Sequence, residues 1–185
     1  MGNLPSMLKI LWKHLPKLLN SLMVLISKTQ SSTPVSPQSV TEKHSSDLPY
    51  KHLIHSDVAA KHGIDNTPNT EQIKNLQLLN LYIYMPIELD LRKDGIVLKM
   101  ESGFRSKELN MHKEIGGSET SDHMQGFAVD LSATKNGVLV APEELFNRIK
   151  ALNLPIKQLI KYPKKGFCHA SLDISAQPRR EYLTL

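Results

Sequence analysis

The chain is poor in cysteine, poor in long apolar runs and, over its first quarter, poor in acidic residues. Cys168 is the only cysteine of 185 residues, which excludes an intrachain disulfide and leaves the redox compartment open. The longest apolar stretch near the N-terminus lies between Lys17 and Lys28 and is about half of the roughly 20 residues that a membrane span needs. A segment resembling the apolar region of an export signal runs from Leu18 to Ile26, but no small-x-small cleavage site follows it. No internal repeat is present. Residues 1–46 hold Lys9, Lys13, Lys17, Lys28 and Lys43 against Glu42 alone, a net +4 out of +5, which leaves +1 for everything after them. The remainder is almost neutral, so a pI of 9.2 is no argument for nucleic-acid binding. A second local excess, Lys150, Lys157, Lys161, Lys164, Lys165, Arg179 and Arg180 against Asp173 and Glu181, is either a solvated basic face or a contact for an anionic partner.

What is present divides the chain into four stretches. Leu8, Leu11, Trp12, Leu15, Leu18, Leu19, Leu22 and Ile26 fall on one helical stripe opposite Lys9, Lys13 and Lys17, and Pro16 should kink any helix there. Residues 1–28 therefore read as a basic amphipathic helix on a membrane surface, an export signal, or a helix packed on a partner or on the domain. Residues 29–46 are dominated by Ser, Thr, Pro and Gln, too polar to offset their ordering entropy, and are expected to form a disordered linker. A domain follows at 47–179, and 180–185 are left as a C-terminal tail.

Inside the domain, Thr67-Pro68 predicts a helix start, with Ile73, Leu76, Leu79 and Ile83 as its core face until Pro86. Ile96 to Met100 is an expected strand that delivers Ser102 to Arg105. Ser106 caps a short helix through about Met111, closed by Gly116-Gly117. Pro142-Glu143-Glu144 opens another helix, with its acids where the helix dipole favours them and Leu145, Phe146, Ile149 and Leu152 as its stripe. Pro155 stops it, and Ile156 to Ile160 is a strand. This order predicts an α+β domain, with helices on a small antiparallel sheet.

The stretch that carries chemistry is Ser121 to Asp130, which places His123 and Asp130 seven residues apart with Gly126 and Ala128 between them. Zinc takes nitrogen and oxygen ligands of this kind, and a catalytic zinc keeps three protein ligands. The best third candidate is His169. Phe127 to Leu131 and Gly166 to Leu172 read as strands, and period-2 geometry puts Asp130 with Ala128 on one face and His169 with Ser171 on one face. Antiparallel neighbours would bring all three groups to one ion. The alternative is a turn histidine, a strand-end aspartate and a buried histidine satisfied by hydrogen bonds. Gly126 would let backbone approach the metal. Cys168 alternates away from the metal side and reads as a core thiol.

The pattern S-x-H-x-x-G-x-A-x-D followed by a late histidine resembles the zinc D-alanyl-D-alanine carboxypeptidases and their endolysin relatives, which share a fold with the hedgehog signalling domain. Upstream, Ser102-Gly103-Phe104-Arg105-Ser106, Leu109-Asn110 and Gly116-Gly117-Ser118 extend the similarity, which covers roughly Leu53 to Leu172. The resemblance implies a zinc cofactor on His123, Asp130 and His169, with Arg105 neutralising substrate carboxylate or oxyanion charge and Ser121 bonding substrate or capping a turn. It also implies a peptidoglycan stem peptide as substrate, cut by a D,D-carboxypeptidase or endopeptidase. Its setting would be the bacterial periplasm or cell envelope, or the host cell or virion for a phage-encoded lysis protein.

The general base departs from the pattern. The family supplies a carboxylate base three residues before the last histidine or at the end of the preceding strand. Here those places hold Gly166 and Lys161 or Tyr162. Tyr162 can donate a hydrogen bond to an oxyanion but is a poor base at neutral pH. Asp122 and Asp173 are expected to point away from the centre. The alternative function is a zinc-binding pseudoenzyme with a structural or wall-binding role; binding of nucleic acid through Lys161 to Lys165 is a third reading.

Overall fold

Alternating apolar and polar side chains produce the strands, and 3.6-residue apolar stripes produce the helices laid on one face of them. The computed structural model describes residues 50–185. The amphipathic helix expected within residues 8–26 and the linker expected at 29–46 lie outside the described residues. Among the described residues, no helix is long and apolar enough to cross a membrane.

Among the described residues, five α-helices, α1 (Asp57–His62), α2 (Thr70–Leu79), α3 (Met85–Arg92), α4 (Lys107–Met111) and α5 (Pro142–Ala151), accompany six strands. These are β1 (Ile96–Ser102), β2 (Ala128–Lys135), β3 (Val138–Leu139), β4 (Ile156–Tyr162), β5 (Phe167–Leu172) and β6 (Glu181–Thr184). The fold is α+β, with a sheet ordered β1-β2-β5-β4-β6 and β3 paired to β2. One face, carrying Leu98, Leu131, Ala133, Leu159, Cys168 and Ala170, is buried with Leu76, Leu79, Ile83, Ile87, Leu145 and Ile149 in a single core. Cys168 lies in that core, and its Sγ donates to the Pro142 carbonyl at 3.3 Å. The opposite face carries Asp130 and Ser132 on β2 and His169 and Ser171 on β5.

Three local expectations are corrected. The sheet is mixed, because residues 181–184 leave the tail and pair parallel to β4 (Gln158↔Glu181, Ile160↔Leu183). Tyr182 anchors them, edge-on to Phe146 at 6.2 Å and beneath Lys150 Nζ at 4.8 Å. A four-residue strand of mixed polarity gives too short a period-2 signal to separate from a tail. Second, α2 starts two residues later than Thr67-Pro68 suggests. Asn69 is the N-cap and forms a reciprocal capping box with Gln72, while the Thr67 N–H is taken by Asp65.

Third, Pro86 does not stop the helix. Residues Asn80–Tyr84 form a π turn, and Pro86 sits at the first positions of α3. The Met85 N–H bonds to the Asn80 carbonyl, and this wider i→i+5 turn offsets the backbone where a proline ring would otherwise strike the carbonyl four residues back. The packed stripe therefore runs on to Ile87 and Leu91.

Docking of β6 depends on Tyr182. Tyr182→Ala should lower unfolding free energy by about 1–3 kcal/mol, read as a lower urea midpoint at unchanged slope. An unchanged midpoint would mean that β6 adds nothing to the fold.

Candidate metal centre

Strand pairing sets the centre. In the antiparallel β2–β5 ladder Asp130 stands directly opposite His169, and Ala128 opposite Ser171, so the two donor side chains leave the sheet side by side. Phe127 follows a short 3-10 turn, Asp122–Gln125, which carries His123 over the same face and ends at Gly126 with φ 76°. A Cβ at Gly126 would press on the Gln72 carbonyl and Leu76. The glycine therefore serves the turn's approach to α2, in place of the expected approach to a metal.

His123 Nε2, Asp130 Oδ1 and His169 Nδ1 form a triangle. His169 Nδ1 is 2.9 Å from Asp130 Oδ1, His123 Nε2 is 3.2 Å from His169 Nδ1, and His123 Nε2 is 3.3 Å from Asp130 Oδ1. A tetrahedral ion about 2.0–2.1 Å from each donor separates its donors by about 3.3–3.4 Å, so two edges have that length and the third falls a few tenths short. His123 Nδ1 lies 2.7 Å from the Gly103 carbonyl; a carbonyl only accepts, so Nδ1 carries the proton. In the neutral ring Nε2 then turns its lone pair toward a carboxylate oxygen and another imidazole. His169 Nδ1 and Asp130 Oδ1 are directed at the same point, where a divalent cation would satisfy all three donors, and a second hydrogen bond of this kind is what orients metal-bound histidines.

The electrostatics suit that use. Burial lowers the His123 pKa, with the neighbouring Asp130 opposing, so the ring favours the neutral, ligating form. Burial alone would raise the Asp130 pKa, but the imidazoles of His123 and His169 packed against it outweigh burial and hold the carboxyl below its ordinary range. By chemistry and spacing, the donor set fits a divalent ion such as zinc.

Arg105 reaches the centre from the loop after β1. Its Nη2 is 3.8 Å from Asp130 Oδ2, and its Nε is buried without a hydrogen-bond partner. Burial lowers the guanidinium pKa, while Asp130 and Tyr162 raise it. Two features missed in the sequence hold this loop. A Cβ at Gly103 would overlap the Leu53 carbonyl, which accepts from the Phe104 N–H at 2.6 Å. Asn66 Nδ2 donates to the Ile54 and Phe104 carbonyls, and its Oδ1 accepts from the Ser106 N–H. Gly117 has a related role, since a Cβ there would overlap the Asn110 side chain; Asn110 is fully buried and donates to the Ser118 carbonyl. The signal available for Asn66 was only its place in the polar run Asp65-Asn66-Thr67.

Tyr162 and Lys161 separate cleanly. Tyr162 shares a face with Ile160, which pairs with His169. Burial raises its pKa, Asp130 adds to this and Arg105 opposes, so the group facing the centre is a neutral phenol. Lys161 turns the other way, ion-paired with Glu143 and 5.2 Å over the Phe146 ring. Asp122 is held by Lys157 Nζ at 2.7 Å. Asp173 accepts from the Ser175 and Arg179 N–H groups. Ser121 precedes the 3-10 turn without a side-chain capping bond.

A model of the family described as Peptidase M15 matches residues 46–169, two thirds of the chain and every donor of the triangle. No curated protein and no solved structure matches the chain.

Two outcomes are expected of this geometry. His169→Ala should release one zinc equivalent per chain from metal-loaded protein, measured by elemental analysis after dialysis; undiminished content would dissociate the triangle from metal binding. Burial pushes the Cys168 thiol up to about 12, so folded protein at pH 8 should leave a thiol reagent unreacted until denaturant exposes one thiol per chain.

Proposed function

We propose that this chain, which belongs to the peptidase M15 family of zinc D-alanyl-D-alanine carboxypeptidase-like enzymes, hydrolyses the peptide stems of bacterial peptidoglycan as a D,D-carboxypeptidase or endopeptidase. The observation that carries the reading is the convergence of His123, Asp130 and His169 within 3.3 Å. Zinc held there would supply Lewis acidity for a peptide carbonyl and a nucleophile at neutral pH.

The chain's own residues divide the remaining work. Arg105, permanently charged and with an unpartnered Nε, binds the substrate's terminal carboxylate or the charge that develops on the carbonyl oxygen. Tyr162 donates its phenolic hydrogen bond to the same oxygen. Ser121, whose hydroxyl caps nothing, orients the peptide. The acid that β1 brings to this face is Glu101, hydrogen-bonded to Ser132, two residues beyond Asp130 and about 7 Å along the strand. As an acid that shares this face, Glu101 is our proposed group for taking up and returning the proton by way of a chain of waters, in the role that Gly166 and Tyr162 cannot fill. A setting at the cell envelope, with the basic apolar sequence of residues 8–26 at a membrane surface, accords with the substrate. A phage lysis protein is the same chemistry in another carrier.

A second reading, a zinc-binding protein that holds wall peptide without cutting it, is favoured by the missing carboxylate at positions 162 and 166. Zinc-loaded protein incubated with a synthetic stem peptide ending in D-alanyl-D-alanine, and with purified wall, separates the two. The hydrolytic reading expects release of D-alanine or of cut stems, a loss of about 100- to 1000-fold in kcat/KM for Arg105→Ala, and about 100-fold for Glu101→Gln, each with zinc content unchanged. Bound peptide with no product from the loaded wild type would establish the second reading. Full activity of Glu101→Gln would remove that residue from the proposal.

A further inference from the structure

A second group of donors, made of none of the residues above, lies where the end of α1 meets the turn after α4. His62 is the last residue of α1, closed by Gly63 at φ 65°. His112 is the C-cap of α4, and its carbonyl accepts from both the Ile115 and the Gly116 N–H at 2.9 Å. That tight turn swings Glu114 back toward α1, and the Glu114 N–H also reaches His112 Nδ1 at 3.3 Å. His62 Nε2 is 2.8 Å from Glu114 Oε1, and the two imidazole rings stand 4.4 Å apart. One ligand atom from each of the three residues lies within 4.8 Å of the others. Lys61 Nζ sits 3.0 and 3.2 Å from the two Glu114 oxygens, supplying the positive charge that an ion would bring.

We infer that His62, His112 and Glu114 form a second divalent transition-metal site. Two imidazoles and one carboxylate are zinc, nickel or copper ligands; calcium and magnesium prefer oxygen alone. The side chains of His62 and Glu114 are about one third exposed, which gives the ion a way in and lets the rings swing the last ångström onto it. His112 gives up only its weak contact with the Glu114 N–H. Bound metal ties α1 to the turn that runs on through Gly117 and Ser118 toward Ser121 and His123, joining residues about 50 positions apart. The ion is therefore a structural staple outside the candidate catalytic centre, and it does not depend on the proposed reaction.

The test is a zinc titration of the metal-free full chain, followed by calorimetry and by thermal unfolding. Wild type should take up two equivalents and His112→Ala one. The His123→Ala/Asp130→Asn chain should also take up one, which then raises its unfolding midpoint, and adding His112→Ala should abolish both uptake and shift. Lys61→Ala, which removes the competing cation and no donor, should tighten this site severalfold. The inference is overturned if His112→Ala takes up as much zinc as wild type, if the His123→Ala/Asp130→Asn chain takes up none, or if Lys61→Ala weakens the site. Failure of the first centre looks different, because His123→Ala/Asp130→Asn would then titrate like wild type.

Discussion

One cross-strand pair, Asp130 opposite His169 in the β2–β5 ladder, is the constraint on which the site depends. Antiparallel pairing makes two side chains nearly 40 residues apart neighbours on one face, and a one-residue slip would send both into the apolar core. The other face of the same strands prevents that slip, since Val129, Leu131, Cys168 and Ala170 are all fully buried. Hydrophobic burial thus holds two polar groups together where their own interaction would be too weak. The third donor is added from above the sheet, where the Gly103 carbonyl orders the His123 ring and Asn66 holds the loop that contains both Gly103 and Arg105.

That arrangement explains why glycine and asparagine recur around the centre. Gly103 and Gly117 stand where a Cβ would overlap a neighbour, and Gly126 combines contact with α2 and a left-handed φ. Asn66, half-buried, and Asn110, fully buried, serve as connectors, each satisfying backbone groups that loops leave open. The polar groups of the centre are then held by backbone as much as by one another. Aligned in this way, His123 keeps its ligating nitrogen directed inward whatever occupies the space between the donors.

Much of this was legible in the chain. Period-2 alternation in Ala128–Leu131 and Cys168–Ser171 shows that Asp130 and His169 face one way and Cys168 the other, and the helical stripe of Leu76, Leu79 and Ile83 announces the covering layer. Other features were not legible, for physical reasons. The π turn at Asn80–Tyr84 leaves no residue-type signature, so Pro86 reads as a stop. Strand β6 is too short to show a period. Carbonyl acceptors such as those of Gly103 and Leu53 belong to the backbone and have no letter in the sequence. Which of Lys161 and Tyr162 faces the centre depends on register with His169, and only the β4–β5 pairing decides it. The grouping of His62 with His112 and Glu114 likewise joins residues whose spacing resembles no motif.

The central claim is that three side chains form a cradle for one divalent ion. Anomalous diffraction at the zinc edge from crystals of the zinc-loaded chain addresses it most directly. The account predicts a peak about 2.0–2.2 Å from His123 Nε2, Asp130 Oδ1 and His169 Nδ1 together. Zinc-loaded crystals with no peak among those three atoms, or with one that touches fewer than three of them, would contradict it.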